Sequence, residues 1–215
     1  YGGKIVLEMY LFINPVGRKS YQSEKNIIKL VKNLDIDIRF RFIPFLNLNT
    51  VTNVLSEHNL PLNNLDIRNK IFNDIYQASL DYKAALFQGK KHGRSFLLNL
   101  QDEVFNGDKK YSNEVVHNII SSIGIDCEMF ENDRHSKFTI ESFKRDQQMA
   151  AEMNVTTHST MVLYNLANID FGVSLTDCSS YDMLEKLCLG KLNDEIMLCK
   201  NSKVHKNSIT SLHTI

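Results

Sequence analysis

Residues 4–13 carry apolar side chains on both alternating faces: Ile5, Leu7, Met9, Leu11 and Ile13 on one, Val6, Tyr10 and Phe12 on the other. A strand of this kind must be covered from two sides, which puts it at the centre of a sheet with helices packed on both faces. After a break at Asn14, Pro15, Val16 and Gly17, residues 20–34 bring Ile27, Leu30, Val31 and Leu34 to helical spacing. Residues 35–44 then alternate Ile36, Ile38, Phe40 and Phe42 against Asp37, Arg39 and Arg41, the pattern of a second strand. The opening unit is βαβ, and a right-handed crossover makes its strands parallel.

From about Leu62 the pattern turns helical for roughly ninety residues. Ile67, Ile71, Ile75 and Ala78 form one stripe, Phe96, Leu97, Leu100 and Val104 a second, and Val116, Ile119, Ile120 and Ile123 a third. Gly89, Gly93 and Gly107 mark the breaks between them. Residues 139–153 add Ile140, Phe143, Ala150 and Met153 on one side. Strand signals return at residues 160–164 and 169–175, joined by the turn at 165–168, which reads as a hairpin. Ser180 then caps a helix through Leu184, Leu187 and Cys188 that ends at Gly190. The order β-α-β, helices, β-β-α predicts an α/β chain of thioredoxin fold with a helical domain inserted in its middle. The expected boundaries are 1–60 and 155–192 for the thioredoxin-like part, 61–154 for the helical insertion and 193–215 for a C-terminal tail that is flexible or docks on a partner.

Among 215 residues, 43% are hydrophobic and 23% charged, with only 9 Gly and 3 Pro, which excludes disordered and low-complexity architectures. The formal net charge is zero, which argues against nonspecific nucleic-acid binding, a mode driven by phosphate neutralisation. No run approaches the roughly 20 apolar residues of a membrane-spanning helix. The start, Tyr1-Gly2-Gly3-Lys4, lacks the features of a secretory signal and an initiator Met, so a cytoplasmic chain missing native N-terminal residues is the expectation. Cys127, Cys178, Cys188 and Cys199 are scattered, the usage of reduced structural thiols. The seven histidines include no pair spaced for a helix-borne zinc site, so neither a metal nor a cofactor is expected.

The stretch Phe12-Ile13-Asn14-Pro15-Val16-Gly17-Arg18-Lys19-Ser20 resembles the active-site turn of DsbA-like thioredoxin-fold proteins. Residues 138–162 resemble the segment leading into their second active-site loop. Within that superfamily, the Asn14-Pro15 opening, the cytosolic character and the long tail are most similar to the YjbH group, also called SpxH. That group comprises cytoplasmic adaptors of Gram-positive bacteria that deliver the transcriptional regulator Spx to the ClpXP protease. The resemblance implies a protein partner, a Spx-like regulator together with the ClpXP system, and no cofactor.

Two departures accompany the resemblance. Where redox members carry Cys-x-x-Cys at the helix start, this sequence reads Gly17-Arg18-Lys19-Ser20, so the thiolate chemistry of the family has no nucleophile and no catalytic residue is assigned. Where the family has a cis-proline, Ser159 stands. A non-proline cis bond costs about 2.5 to 4 kcal/mol, so a trans peptide and a reshaped loop are expected there.

An adaptor needs no thiol, because a thioredoxin fold can pair its loop backbone with an extended peptide. The candidate partner-binding residues are Val16, Gly17, Arg18, Lys19, Ser20, His158, Ser159 and Thr160, which the fold should gather at one end of the sheet beneath the insertion. The insertion or the tail are the competing docking faces. Each candidate also has a plain structural role open to it: a solvated turn for Arg18 and Lys19, an N-cap for Ser20, an ordinary hydrogen-bonded histidine for His158. Two enzymatic readings stand beside the adaptor. One is a kappa-class glutathione transferase, whose serine normally falls at the Gly17 position; the other is thiol-disulfide oxidoreductase chemistry recruiting Cys127 or Cys178. The basic run Lys90-Lys91-His92-Gly93-Arg94 is read as the solvated junction between two insert helices.

Overall fold

The computed structural model describes residues 6–166, 172–177 and 180–191. The tail from 193, Cys178, Cys199 and the centre of the expected hairpin turn lie outside them. The strands are β1 (Leu7–Ile13), β2 (Ile38–Pro44), β3 (Thr160–Tyr164) and β4 (Val173–Thr176), and the sheet runs in the order β2-β1-β3-β4. The pairing of β1 with β2 is parallel, while β3 runs antiparallel to both β1 and β4, as the βαβ and hairpin patterns require. The helices are α1 (Arg18–Asn33), α2 (Leu48–Glu57), α3 (Leu65–Phe87), α4 (Lys90–Phe105), α5 (Asn113–Ser122), α6 (Cys127–Arg134), α7 (Lys137–Glu152) and α8 (Tyr181–Cys188).

Both faces of β1 are buried. Leu7, Met9, Leu11 and Ile13 join Ile27 and Leu30 of α1, Ala78 and Tyr82 of α3, and Leu184 and Leu187 of α8 in the main core. Phe12 on the other face packs with Ile43, Phe45, Val162 and, from α7 and the residues after it, Ala150, Met153 and Val155. Ser180 caps α8 by accepting from Met183 N, and Gly190 takes the left-handed conformation with φ 64° just past the helix end.

The helical region differs from the sequence reading in two places, and helix α1 differs in a third. It begins at Leu48 rather than near Leu62, because Asn47 caps α2 by accepting from Thr50 N at 2.8 Å. Val51, Val54 and Leu55 of α2 then bury against Ile75 of α3. Gly93 does not break a helix but lies inside α4, where an added Cβ would come within 2.4 Å of Leu86 Cδ2; its smallness lets α3 and α4 approach closely. Helix α1 begins at Arg18 with Gly17 as its N-cap, not at Ser20.

Buried polar pairs fix how these helices sit. Arg134 of α6 donates to both carboxylate oxygens of Asp81 on α3, from Nε at 2.8 Å and Nη2 at 3.0 Å, and Tyr111 donates to the same carboxylate at 2.6 Å. Lys83 of α3 meets Asp146 of α7 at 2.7 Å. Among the described residues, no helix is long and apolar enough to cross a membrane. Removing one partner of a buried ion pair leaves the other charge without compensation. Arg134→Ala is therefore expected to cost about 3–5 kcal/mol of stability, read as a shift of the urea midpoint with an unchanged slope.

Candidate functional site

The turn after β1 is held shut by its own groups. Val16 N donates to Asn14 Oδ1 at 3.0 Å, and Gly17 N donates to Asn14 O at 2.9 Å. Asn14 N donates to the Ser20 hydroxyl at 3.0 Å, so the buried Ser20 acts as a tie between turn and helix rather than as an N-cap. The Asn14 side chain fills the space beside Gly17: a Cβ there would lie 2.9 Å from Asn14 Cβ. Arg18 and Lys19 are exposed at the start of α1, and Val16 is half-buried.

The second loop meets this turn, as the element order leads one to expect. Ser159 Oγ donates to Ser23 Oγ of α1 at 3.1 Å, and Asp177 N donates to Ser159 O at 2.9 Å. Thr160 Oγ1 donates to Thr157 O at 2.8 Å and lies 3.3 Å from Thr176 Oγ1. Helix α2 clamps the same loop from outside, Asn47 Nδ2 donating to Thr156 O at 2.9 Å. Against the expectation of a trans bond, the His158–Ser159 peptide is cis. Proline is absent, and bonds from α1, α2, β4 and the residue after it hold the loop in place instead.

His158 is buried with 2% exposure, and its Nδ1 meets no hydrogen-bond partner among the described residues. Burial, reinforced by the Lys19 charge and opposed by Asp177, pulls its imidazole down from 6.5 to about 4. At neutral pH it is an uncharged ring. Beneath the same helix start, Glu24 is fully buried and accepts from Gln101 Nε2 of α4 at 2.9 Å. Burial pushes this carboxyl well above its ordinary 4.5, with the Gln101 bond acting the other way.

In front of these groups opens a groove of about 850 Å³. Val16, Arg18, Lys19 and Ser23 line it from the turn and α1, Val54, Glu57 and His58 from the end of α2, Val104 and Phe105 from the end of α4, and Asp108 and Asp177 at its edges. Its floor is apolar and its rim charged: Lys19 stands 3.5 Å from Asp177 and 3.8 Å from Glu57, and the Arg18 guanidinium lies 5.7 Å over the Phe105 ring. Of the eight residues singled out from sequence, Val16, Arg18 and Lys19 line the groove. Gly17, Ser20, His158, Ser159 and Thr160 are buried and shape it from behind. Sequence reasoning missed the rest of the lining, Val54, Glu57, Val104, Phe105 and Asp177 among it. The Asn47 cap, with Val51, Val54 and Leu55 at helical spacing, was a signal for α2; nothing local marks the other three residues. Cys127 opens α6 and is not among the lining residues.

A family model described as Thioredoxin matches residues 10–186. Among curated proteins, the chain is similar to the ClpXP adapter protein SpxH of Bacillus subtilis (strain 168), at 28% identity over 88% of this chain and 69% of that protein. It is also similar to the ClpXP adapter protein SpxH of Shouchella clausii (strain KSM-K16), at 29% identity over 79% of this chain and 62% of that protein. The chain thus spans about two thirds of the length of these relatives. Among solved structures it is similar to Pseudomonas aeruginosa DsbA, with TM-score 0.58, 13% identity, and coverage of 89% of this chain and 86% of that one. A second is the oxidoreductase DsbA from Xylella fastidiosa, with TM-score 0.59, 10% identity, and 87% of each chain covered. At such identities these structures establish the fold, an α/β thioredoxin-like sheet with inserted helices.

The two buried titratable groups behind the groove act on stability in opposite directions. His158 has a folded value below its unfolded one, so its contribution is complete above pH 6.5 and is lost as pH falls towards 4. His158→Gln should remove that loss, which amounts to about 3 kcal/mol relative to the native chain over this window. Glu24 has a raised folded value, so its contribution is complete below 4.5 and is lost as pH rises. Glu24→Gln should become steadily more stable than the native chain above pH 4.5. Urea denaturation across pH checks both.

Proposed function

Because the chain belongs to the thioredoxin family, we propose that it acts as a non-catalytic adaptor, binding a Spx-type transcriptional regulator in the groove beside the β1–α1 turn and promoting its degradation by ClpXP. The observation that carries this reading is the groove itself. It has an apolar floor, a charged rim, and walls drawn from three helices, while the turn at its base carries Gly17 and Ser20 instead of thiols. A surface of this kind suits a protein segment: apolar side chains enter the floor, and the rim charges set register and on-rate. Similarity to proteins named ClpXP adapter protein SpxH supports the partner class. Val16, Arg18 and Lys19 touch the partner in this reading, and Gly17, Ser20, His158, Ser159 and Thr160 hold the wall that it meets.

Among the described residues, which do not include Cys178, the enzymatic alternatives find no reacting group in the groove. The Ser20 hydroxyl is buried and accepts from Asn14 N, so it does not face the groove to hold a glutathione thiolate. Purified protein freed of thioredoxin is expected to reduce insulin no faster than buffer with dithiothreitol; activity well above that background would restore the oxidoreductase reading.

Reversing the two exposed charges tests the docking face. Arg18→Glu with Lys19→Glu alters exposed positions, and with the Lys19 contacts to Glu57 and Asp177 lost, stability should fall by about 1 kcal/mol. The variant should bind a Spx-type regulator about tenfold more weakly, with a salt-dependent loss, and should accelerate its degradation by ClpXP less than the native chain does. Unchanged affinity with an intact circular dichroism spectrum would move the docking face to the helical insertion or to the tail.

A further inference from the structure

Strand β2 ends the sheet, and its outer edge is open along only half of its length. At the two ends of its pairing with β1, Leu7 N donates to Asp37 O at 2.9 Å and Phe45 N donates to Ile13 O at 2.8 Å. Odd-numbered residues therefore turn their backbone groups towards β1, and even-numbered ones turn theirs outward, since the direction alternates along a strand. At the far end those outward groups are used. The Tyr82 hydroxyl donates to Phe42 O at 3.2 Å, Gln147 Nε2 donates to Pro44 O at 2.8 Å, and Pro44 has no N–H to offer. The outward groups of Ile38 and Phe40 meet no partner among the described residues.

The open half is flanked by positive charge on both faces. Arg94 of α4 lies with its guanidinium 5.3 Å over the Phe40 ring, on the face of the even-numbered side chains, and Lys90 joins it in lining a cavity of about 230 Å³ beside the edge. Arg39 and Arg41, both exposed, belong by strand alternation to the opposite face, and Arg41 also reaches the lining of that cavity at the edge. Among the described residues none of these four cations has a carboxylate within ion-pair distance. Glu8, opposite Arg39 in the register, accepts from Tyr10 instead, and Asp146 is engaged by Lys83. In a chain of zero net charge this is a local excess. Arg39 and Arg41 alone would only guard the edge against a second copy; Lys90 and Arg94, brought from another element, add charge that guarding does not need.

We propose that the open edge of β2 accepts an acidic segment of a partner protein as an added strand, its backbone pairing with Ile38 and Phe40 and its carboxylates facing Arg39 and Arg41 on one side, Lys90 and Arg94 on the other. An added strand sends successive side chains to both faces, so the arrangement selects a segment acidic on both. A second copy of this chain would set arginine against arginine. The site lies at the opposite end of α4 from the groove, about 20 Å away along the helix, and so is independent of the adaptor reading.

A fluorescein-labelled peptide of mixed Glu and Val tests it by anisotropy. The full chain should bind the peptide at low ionic strength and release it as salt rises. Arg41→Glu with Arg94→Glu should weaken binding about tenfold. Ile38→Pro, which removes an outward N–H at the strand start where proline is tolerated, should weaken it as well, with the circular dichroism spectrum unchanged. The same peptide N-methylated along its backbone should not bind. The proposal is overturned if the unmodified peptide fails to bind, if the N-methylated one binds equally well, or if sedimentation shows a dimer that Ile38→Pro dissociates.

Discussion

Burying β1 on both faces requires two layers, and the chain draws them from segments far apart in sequence. Leu7, Met9, Leu11 and Ile13 need α1, α3 and α8, while Phe12 needs α7 and the residues that follow it. Each such side chain contributes roughly 1.5–3 kcal/mol when fully buried, so together they outweigh any local preference of the connecting segments. The C-terminal end of β1 is thereby held at the point where α1 begins. The Asn14–Ser20 ties then close the turn between them. The position of the groove follows from this: it opens where the central strand ends and the helix begins.

The groove walls are connected by polar side-chain contacts, two of them buried. Glu24 and Gln101 join α1 to α4, Ser23 and Ser159 join α1 to the second loop, and Asn47 joins α2 to Thr156. Such contacts hold a binding surface in one shape, so a docking segment orders little of the protein. The residues of the turn are used for structure. Ser20 ties the turn, and the Asn14 side chain fills the space beside Gly17.

Helix α4 connects the two surfaces described. Its end contributes Val104 and Phe105 to the groove, and its start contributes Lys90 and Arg94 to the edge of β2. The buried Asp81–Arg134 and Lys83–Asp146 pairs anchor α3, against which α4 packs through Gly93. Buried ion pairs add little net stability, but they penalise any other helix arrangement, because a shifted partner would strand a charge in the core.

Periodicity and caps are local, and they determined much of this protein. The two-sided strand, the alternation at 38–42, the stripes of the helical region and the Ser180 cap each need only neighbouring residues, and from them came the element order and with it the thioredoxin arrangement. The same order brought the turn and the loop before Thr160 to one end of the sheet. What the tertiary structure alone decided involves residues that meet across long separations. Glu57, Phe105 and Asp177 reach the groove from three elements, and no local pattern marks them as neighbours of Lys19. Gly93 reads as a helix break until Leu86 is set against it, and Ser20 reads as a cap until Asn14 N reaches its hydroxyl. Ser159 without proline reads as trans, but the clamps from Ser23, Asp177 and α2 come from elements that local reasoning treats separately. Local chemistry sets which elements form, whereas packing sets which side chains face one another, because contact energy depends on distance in space and not along the chain.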